Sequence, residues 1–114
     1  MEEIKLITDS EGWYACDVPL SKEDWDGLLR DRSIALEAAM TALLSFYYMP
    51  GYGASCTKEA EEFGRKPSYY IGSINGFCRN VQKRFPGFRI LSHNSDAQVY
   101  WPVCMAKGKY AKCL

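Results

Sequence analysis

The chain has 114 residues, 47% of them hydrophobic and 25% charged, and its 14 basic and 14 acidic side chains balance to zero. That length suits one domain with one modest core and is too little for two, and the composition excludes a largely disordered chain. The longest apolar stretch, Ala38 to Met49, is interrupted by Thr41 and Ser45 and is too short to span a bilayer.

Residues 1–20 mix Ile4, Leu6 and Ile7 with Trp13-Tyr-Ala-Cys16 and read as an N-terminal arm or short strand. Residues 21–114 read as the body of a single domain. Ser21 followed by Asp24 has the form of a capping box, so a first helix is expected from about Lys22 to Arg30 with Trp25, Leu28 and Leu29 on one face. Ser33 to Tyr48 is apolar nearly all round. Its polar positions Glu37, Thr41 and Ser45 fall in one narrow stripe, which predicts a helix central to the core. Met49-Pro-Gly-Tyr-Gly-Ala54 stops it, because proline cannot continue the hydrogen-bond ladder.

From Ser55 to Phe85 the pattern is a short helix, a glycine turn at Gly64 and a longer helix. This is the sequence form of a helix-turn-helix, and Ala60, four residues before Gly64, lets the second helix cross closely. Ile71, Ile74, Cys78, Val81 and Phe85 follow three- and four-residue steps and are expected to pack on the central helix. Beyond Pro86-Gly87, the runs Phe88–Leu91 and Gln98–Trp101 flank the polar loop Ser92–Ala97, as in a hairpin. A hairpin directly after such a pair of helices stands where a wing stands. The expected fold is mainly α with a small C-terminal β-hairpin, a winged helix-turn-helix-like domain.

Charge is divided along the chain. Residues 1–54 hold ten acids against four bases, a net −6, and residues 55–114 reverse the ratio to a net +6. The positive half contains the helix-turn-helix, which would steer a polyanion to one side; alternatively the two halves attract each other. Five cysteines form no C-x-x-C pair, the count is odd and no signal peptide is evident, so reduced thiols in a cytoplasmic protein are expected. With His93 as the sole histidine, no metal or other cofactor is expected.

On the long helix, Tyr69, Gly72, Ser73, Gly76, Asn80 and Lys83 share the outer side, with Arg79 and Arg84 on its shoulders. Serine and asparagine can read base edges, tyrosine can bond phosphate or stack, and the cations neutralise phosphates. Arg65 and Lys66 precede the helix, near its positive dipole end. Arg89 and His93 on the hairpin complete the candidate DNA-binding set, against the plainer reading of a solvated loop tip. Gly72 and Gly76 each cost about 1 kcal/mol relative to alanine inside a helix, so something is expected to come close: a nucleic-acid backbone, another helix or a second copy of the chain.

Three catalytic look-alikes fall away. Ser55-Cys-Thr-Lys58 fits S-x-x-K without its companion motifs, Tyr70-Ile-Gly72 lies in a helical rather than a strand pattern, and Gly51-x-Gly53 lacks a βαβ setting. No acid pair, triad or metal cluster supports catalysis, so the expectation is a non-enzyme.

Phe46-Tyr-Tyr-Met-Pro-Gly51, Ser55-x-Thr57 with Ala60 and Gly64, Tyr70, Asn75, Tyr100-Trp-Pro-Val-Cys-Met105 and Gly108-Lys109 carry a resemblance. Over about residues 25 to 110 the chain resembles a small helical module of bacterial restriction-type proteins, found beside HNH nuclease or McrB-like ATPase domains. Members continue with a tryptophan and an L-R-x-E-L-like segment that is missing here, so a fragment or single domain of a longer effector is expected. The resemblance implies DNA recognition or an accessory role in defence, with cutting performed by a partner. The rival expectation is a docking or dimerisation module that uses Trp101 and the Gly72/Gly76 face and touches no nucleic acid.

Overall fold

A computed structural model describes residues 2–8, 14–107 and 111–113. Trp13 and the Gly108-Lys109 pair lie outside the described residues. Helix α1, Lys22–Arg30, begins at the anticipated capping box: the Ser21 hydroxyl accepts from the Asp24 N–H at 3.1 Å, and Asp24 Oδ2 accepts from the Ser21 N–H at 2.9 Å. Leu28 carries its buried face, with Trp25 half-buried beside it.

The second helix starts later than its apolar pattern suggests. Ser33 donates both its backbone N–H (2.9 Å) and its hydroxyl (2.6 Å) to Asp31 Oδ1, and the Ile34 and Ala35 N–H groups bond the Asp31 carbonyl. This local turn competes with the helix, so α2 spans Glu37–Tyr48 after an extended Leu36. Its polar stripe does not face solvent throughout. Ser45 is buried because its hydroxyl is satisfied by the Thr41 carbonyl at 2.8 Å, one turn back in the same helix. Leu44, Tyr47 and Tyr48 stand outside instead.

A 3-10 turn, Pro50–Tyr52, with Gly51 at φ +67° and Tyr52 at φ +59°, ends the helical run. Ser55 then caps α3, Cys56–Phe63, by accepting the Lys58 N–H at 3.0 Å. Gly64 closes it in the left-handed region at φ +83°, its N–H on the Ala60 carbonyl at 2.8 Å. Arg65 and Lys66 bridge to α4, Pro67–Arg84, which takes proline in its first turn, where the missing N–H costs nothing. Helix α4 packs on both α2 and α3. Ala39, Ala42 and Phe46 of α2 share one core with Tyr70, Ile74, Phe77, Cys78 and Val81 of α4.

The strands extend well beyond a C-terminal hairpin, and the architecture is mixed α/β. Strands β5 (Phe88–Leu91) and β6 (Gln98–Val99) do pair antiparallel, with Ile90 opposite Val99. Strand β1, Glu2–Lys5, lies parallel against β5 with Ile4 opposite Ile90, giving the order β1-β5-β6. A second sheet has the order β2-β3-β7-β8-β4, built from β2 (Ile7–Thr8), β3 (Tyr14–Ala15), β4 (Gly53–Ala54), β7 (Met105–Lys107) and β8 (Ala111–Cys113). Its strands have two or three residues each, too short to show alternation in the sequence. Gln82 Nε2 reaches the carbonyls of Phe85 (3.2 Å) and Phe88 (2.9 Å), which locks the corner between α4 and β5.

Candidate nucleic-acid interface

The buried stripe of α4 is Tyr70, Ile74, Phe77, Cys78, Val81 and Gln82. Ile71, expected on that side, is 53% exposed, and Tyr70 and Phe77 take buried places in the core instead. On the other side, Gly72, Ser73, Gly76, Arg79, Asn80 and Lys83 line a groove of about 480 Å³ against Ile34, Leu36, Ala38 and Ala39. No acidic residue lines it. Gly72, Arg79 and Lys83 are exposed, while Ser73, Gly76 and Asn80 are half-buried. Asn80 Nδ2 donates to the Ile34 carbonyl at 3.3 Å, so that nitrogen tethers the turn before α2. The outer surface of α4 is thus partly walled by the start of α2.

Among the described residues, a Cβ added at Gly72 or Gly76 would meet no atom within 4 Å beyond its chain neighbours and the backbone of its own helix. Close packing against another helix of this chain therefore does not account for either glycine. Both form an open floor, and Arg79 and Lys83 rise beside it one turn apart.

Other predicted residues take different positions. Arg65 and Lys66 are exposed at the start of α4, and the Arg65 guanidinium lies 4.4 Å from the ring centre of half-buried Tyr69. Arg79 stacks similarly over Tyr100 at 5.3 Å, a contact that leans it toward the hairpin end. Arg84 lines a separate pocket with Glu23, Asp24 and Asp31. The Asp31 carboxyl is held below its ordinary range by the two Ser33 hydrogen bonds first and by Arg84 to a smaller degree. Arg89 on β5 is paired with Glu3 on β1, its Nε 3.1 Å from Oε2. The His93 ring packs on Tyr14 with centroids 4.6 Å apart, and the loop around it is tied down by Lys5, which reaches the Ser95 carbonyl at 3.0 Å and Asp96 at 3.9 Å. Arg84, Arg89 and His93 are not brought to the α4 groove.

Two features escaped the sequence pattern. Tyr47 stacks on Tyr52 at 5.4 Å and meets Tyr48 edge-on at 5.5 Å, which makes an exposed aromatic cluster at the end of α2. The all-round apolarity of α2 was its only signal. Beside it, Trp25, Leu29, Met40, Leu44, Tyr47 and Cys104 line an apolar groove of about 640 Å³. Trp101, the expected docking contact, is half-buried at the start of a 3-10 turn, Trp101–Val103, that packs on α4.

Glu59 of α3 is the unusual electrostatic group. It is fully buried, and neither carboxyl oxygen finds a hydrogen-bond partner among the described residues; the same holds for Tyr70 Oη. Burial, with a smaller contribution from Glu62, pushes the Glu59 carboxyl from 4.5 up to about 7. Tyr70 is raised too, by burial first and by Glu59 next.

Among the described residues, no group of three or more histidine, cysteine or acidic side chains could hold a metal ion, and no helix is long and apolar enough to cross a membrane. No protein-family model matches this chain, and no curated protein or solved structure matches it either.

Proposed function

We propose that the chain is a non-enzymatic module that takes duplex DNA against the outer groove of α4. What carries this reading is the open glycine floor: two residues that weaken a helix, without crowding among the described residues to require them, beside Arg79 and Lys83 in a groove with no acid among its lining residues. In this reading Arg65, Lys66, Arg79 and Lys83 neutralise phosphates, Ser73 reaches the groove, and the carbonyl end of Asn80 accepts from a base edge. Strands β5 and β6 serve as the wing of a winged helix, and β1 braces it. Arg89 serves this bracing through Glu3 rather than a phosphate contact. The resemblance to restriction-type modules extends the proposal to an accessory role in defence within the cytoplasm, beside a nuclease or ATPase partner.

Fluorescence anisotropy with labelled random duplex over a salt series tests the reading. Lys83→Ala is expected to weaken binding across all sequences and to lower the slope of log K against log salt by about one. Wild-type and variant affinities that coincide at low salt would sink it. Gly76→Ala gives the complementary result: stability in urea rises by about 0.5 to 1 kcal/mol while DNA affinity falls. Unchanged affinity in that variant would mean that no backbone approaches the glycine.

A second reading, docking or dimerisation, is favoured by the 640 Å³ apolar groove and the exposed Tyr47, Tyr48 and Tyr52. A stable dimer by light scattering that ignores duplex at 50 mM salt, on the order of conditions where non-specific binding is strongest, would select it.

A further inference from the structure

Cys78 and Cys104 meet at the seam between α4 and the turn that leads into β7. Cys78 is fully buried, and Cys104, just after Trp101–Val103, is partly exposed. Their Sγ atoms lie 3.2 Å apart as thiols, not as halves of a disulfide. Cys78 Sγ also reaches the Trp101 carbonyl at 3.8 Å, so its thiol is aimed across the seam. Cys104 lines the apolar groove beside α1 and α2, whereas Cys78 lies outside that lining.

We propose that Cys78 and Cys104 form a reversible dithiol–disulfide site, entered from the groove at Cys104 by a small disulfide such as oxidised glutathione. The two sulfurs need to close by about 1.1 Å to reach bonding distance. In the first step the Cys104 thiolate attacks one sulfur of the small disulfide, and the expelled thiolate takes up the proton that Cys104 gave up. Cys78 then loses its proton, attacks Cys104 Sγ and displaces the second small thiol, which is protonated in turn. Two protein thiols lose two electrons and one small disulfide becomes two thiols.

Exposure sets the order of events: the sulfur that solvent reaches reacts first, and the buried one resolves the adduct. Cys16 lines the same groove with its Sγ 4.0 Å from the Pro102 carbonyl. Burial, and then Asp17, push the Cys16 thiol up to about 11, so it offers little thiolate as a competitor.

The full chain, equilibrated with graded mixtures of reduced and oxidised glutathione, acid-quenched, alkylated and mapped by peptide mass spectrometry, tests the site. The expected product is a peptide pair joined through Cys78 and Cys104 that appears and disappears with the glutathione ratio while the far-UV spectrum is kept. Cys78→Ser is expected to leave glutathione attached to Cys104. A serine at that core position can itself unfold the chain, so Cys104→Ser is the second variant, expected to yield neither the cross-link nor an adduct on Cys78. A wild-type adduct on Cys104 that never resolves, cross-links confined to other cysteines, or oxidation seen only in urea would overturn the assignment.

Discussion

Reversing both groove cations, Arg79→Glu with Lys83→Glu, is expected to lower duplex DNA affinity by about a thousandfold at 0.1 M salt. Removing a phosphate contact costs on the order of 1 kcal/mol, and placing a carboxylate near the same phosphate adds a repulsion of about the same size in a water-rich groove. For two positions these sum to about 4 kcal/mol, and roughly 1.4 kcal/mol is a factor of ten. Non-specific affinities of about 10⁻⁴ to 10⁻⁶ M would then fall out of reach of an anisotropy titration. Arg79 also stacks on Tyr100, so a far-UV spectrum and a urea midpoint accompany the measurement. Lys22→Glu, at the exposed start of α1, is the control and should bind as the wild type does. If the double reversal binds equally well, the α4 groove is not the phosphate contact.

Glu59→Gln is expected to change how stability depends on pH, and in an uncommon direction. The folded chain raises this carboxyl from 4.5 to about 7, so between those values the native state holds a proton that the unfolded state has released. Its contribution is complete below the unfolded value and is lost as pH rises through the folded one. At about 1.4 kcal/mol per unit, the wild type should lose on the order of 3 kcal/mol between pH 4.5 and 8 from this group alone. Glutamine keeps the shape and cannot ionise. Its own burial cost is the same at every pH, so the slope is the test rather than the absolute stability. Urea denaturation at several pH values should show the variant gaining on the wild type by about 3 kcal/mol over that range. Parallel curves would mean that the Glu59 carboxyl titrates in the fold as it does in the unfolded chain. Glu62 is the ionisable neighbour that adds to the Glu59 shift, and the Glu59 charge in turn raises Tyr70.

Local chemistry was legible in the residues. Ser21 and Ser55 each cap a helix, Gly64 turns left-handed between α3 and α4, and α1 has the bounds that its capping box announces. What escaped depends on partners distant in the chain. Strands of two or three residues carry no period, and β1 is defined by β5, far along the sequence. The start of α2 was hidden because Asp31 and Ser33 settle a turn at the head of the apolar run. Ser45 looked like a solvent position, yet a hydroxyl satisfied within its own helix can go inside. Spacing along α4 puts Ser73, Arg79, Asn80 and Lys83 on one side of the helix, and all four line one groove. Position along a helix or a strand cannot reveal that Arg84 of α4 faces Asp31 or that Arg89 of β5 is occupied by Glu3. The open space over Gly72 and Gly76 is likewise visible only in three dimensions.

The parallel pairing of β1 with β5 sets a timetable for biosynthesis. Glu3 and Arg89 are 86 residues apart, so the first strand leaves the ribosome well before its mate has been translated. At about 5 to 20 residues per second that is a wait of roughly 4 to 17 s, with an unpaired edge in the nascent polypeptide. The acidic Glu2 and Glu3 on that edge keep a waiting strand from joining a neighbour's, in the way that charged edge residues deter aggregation.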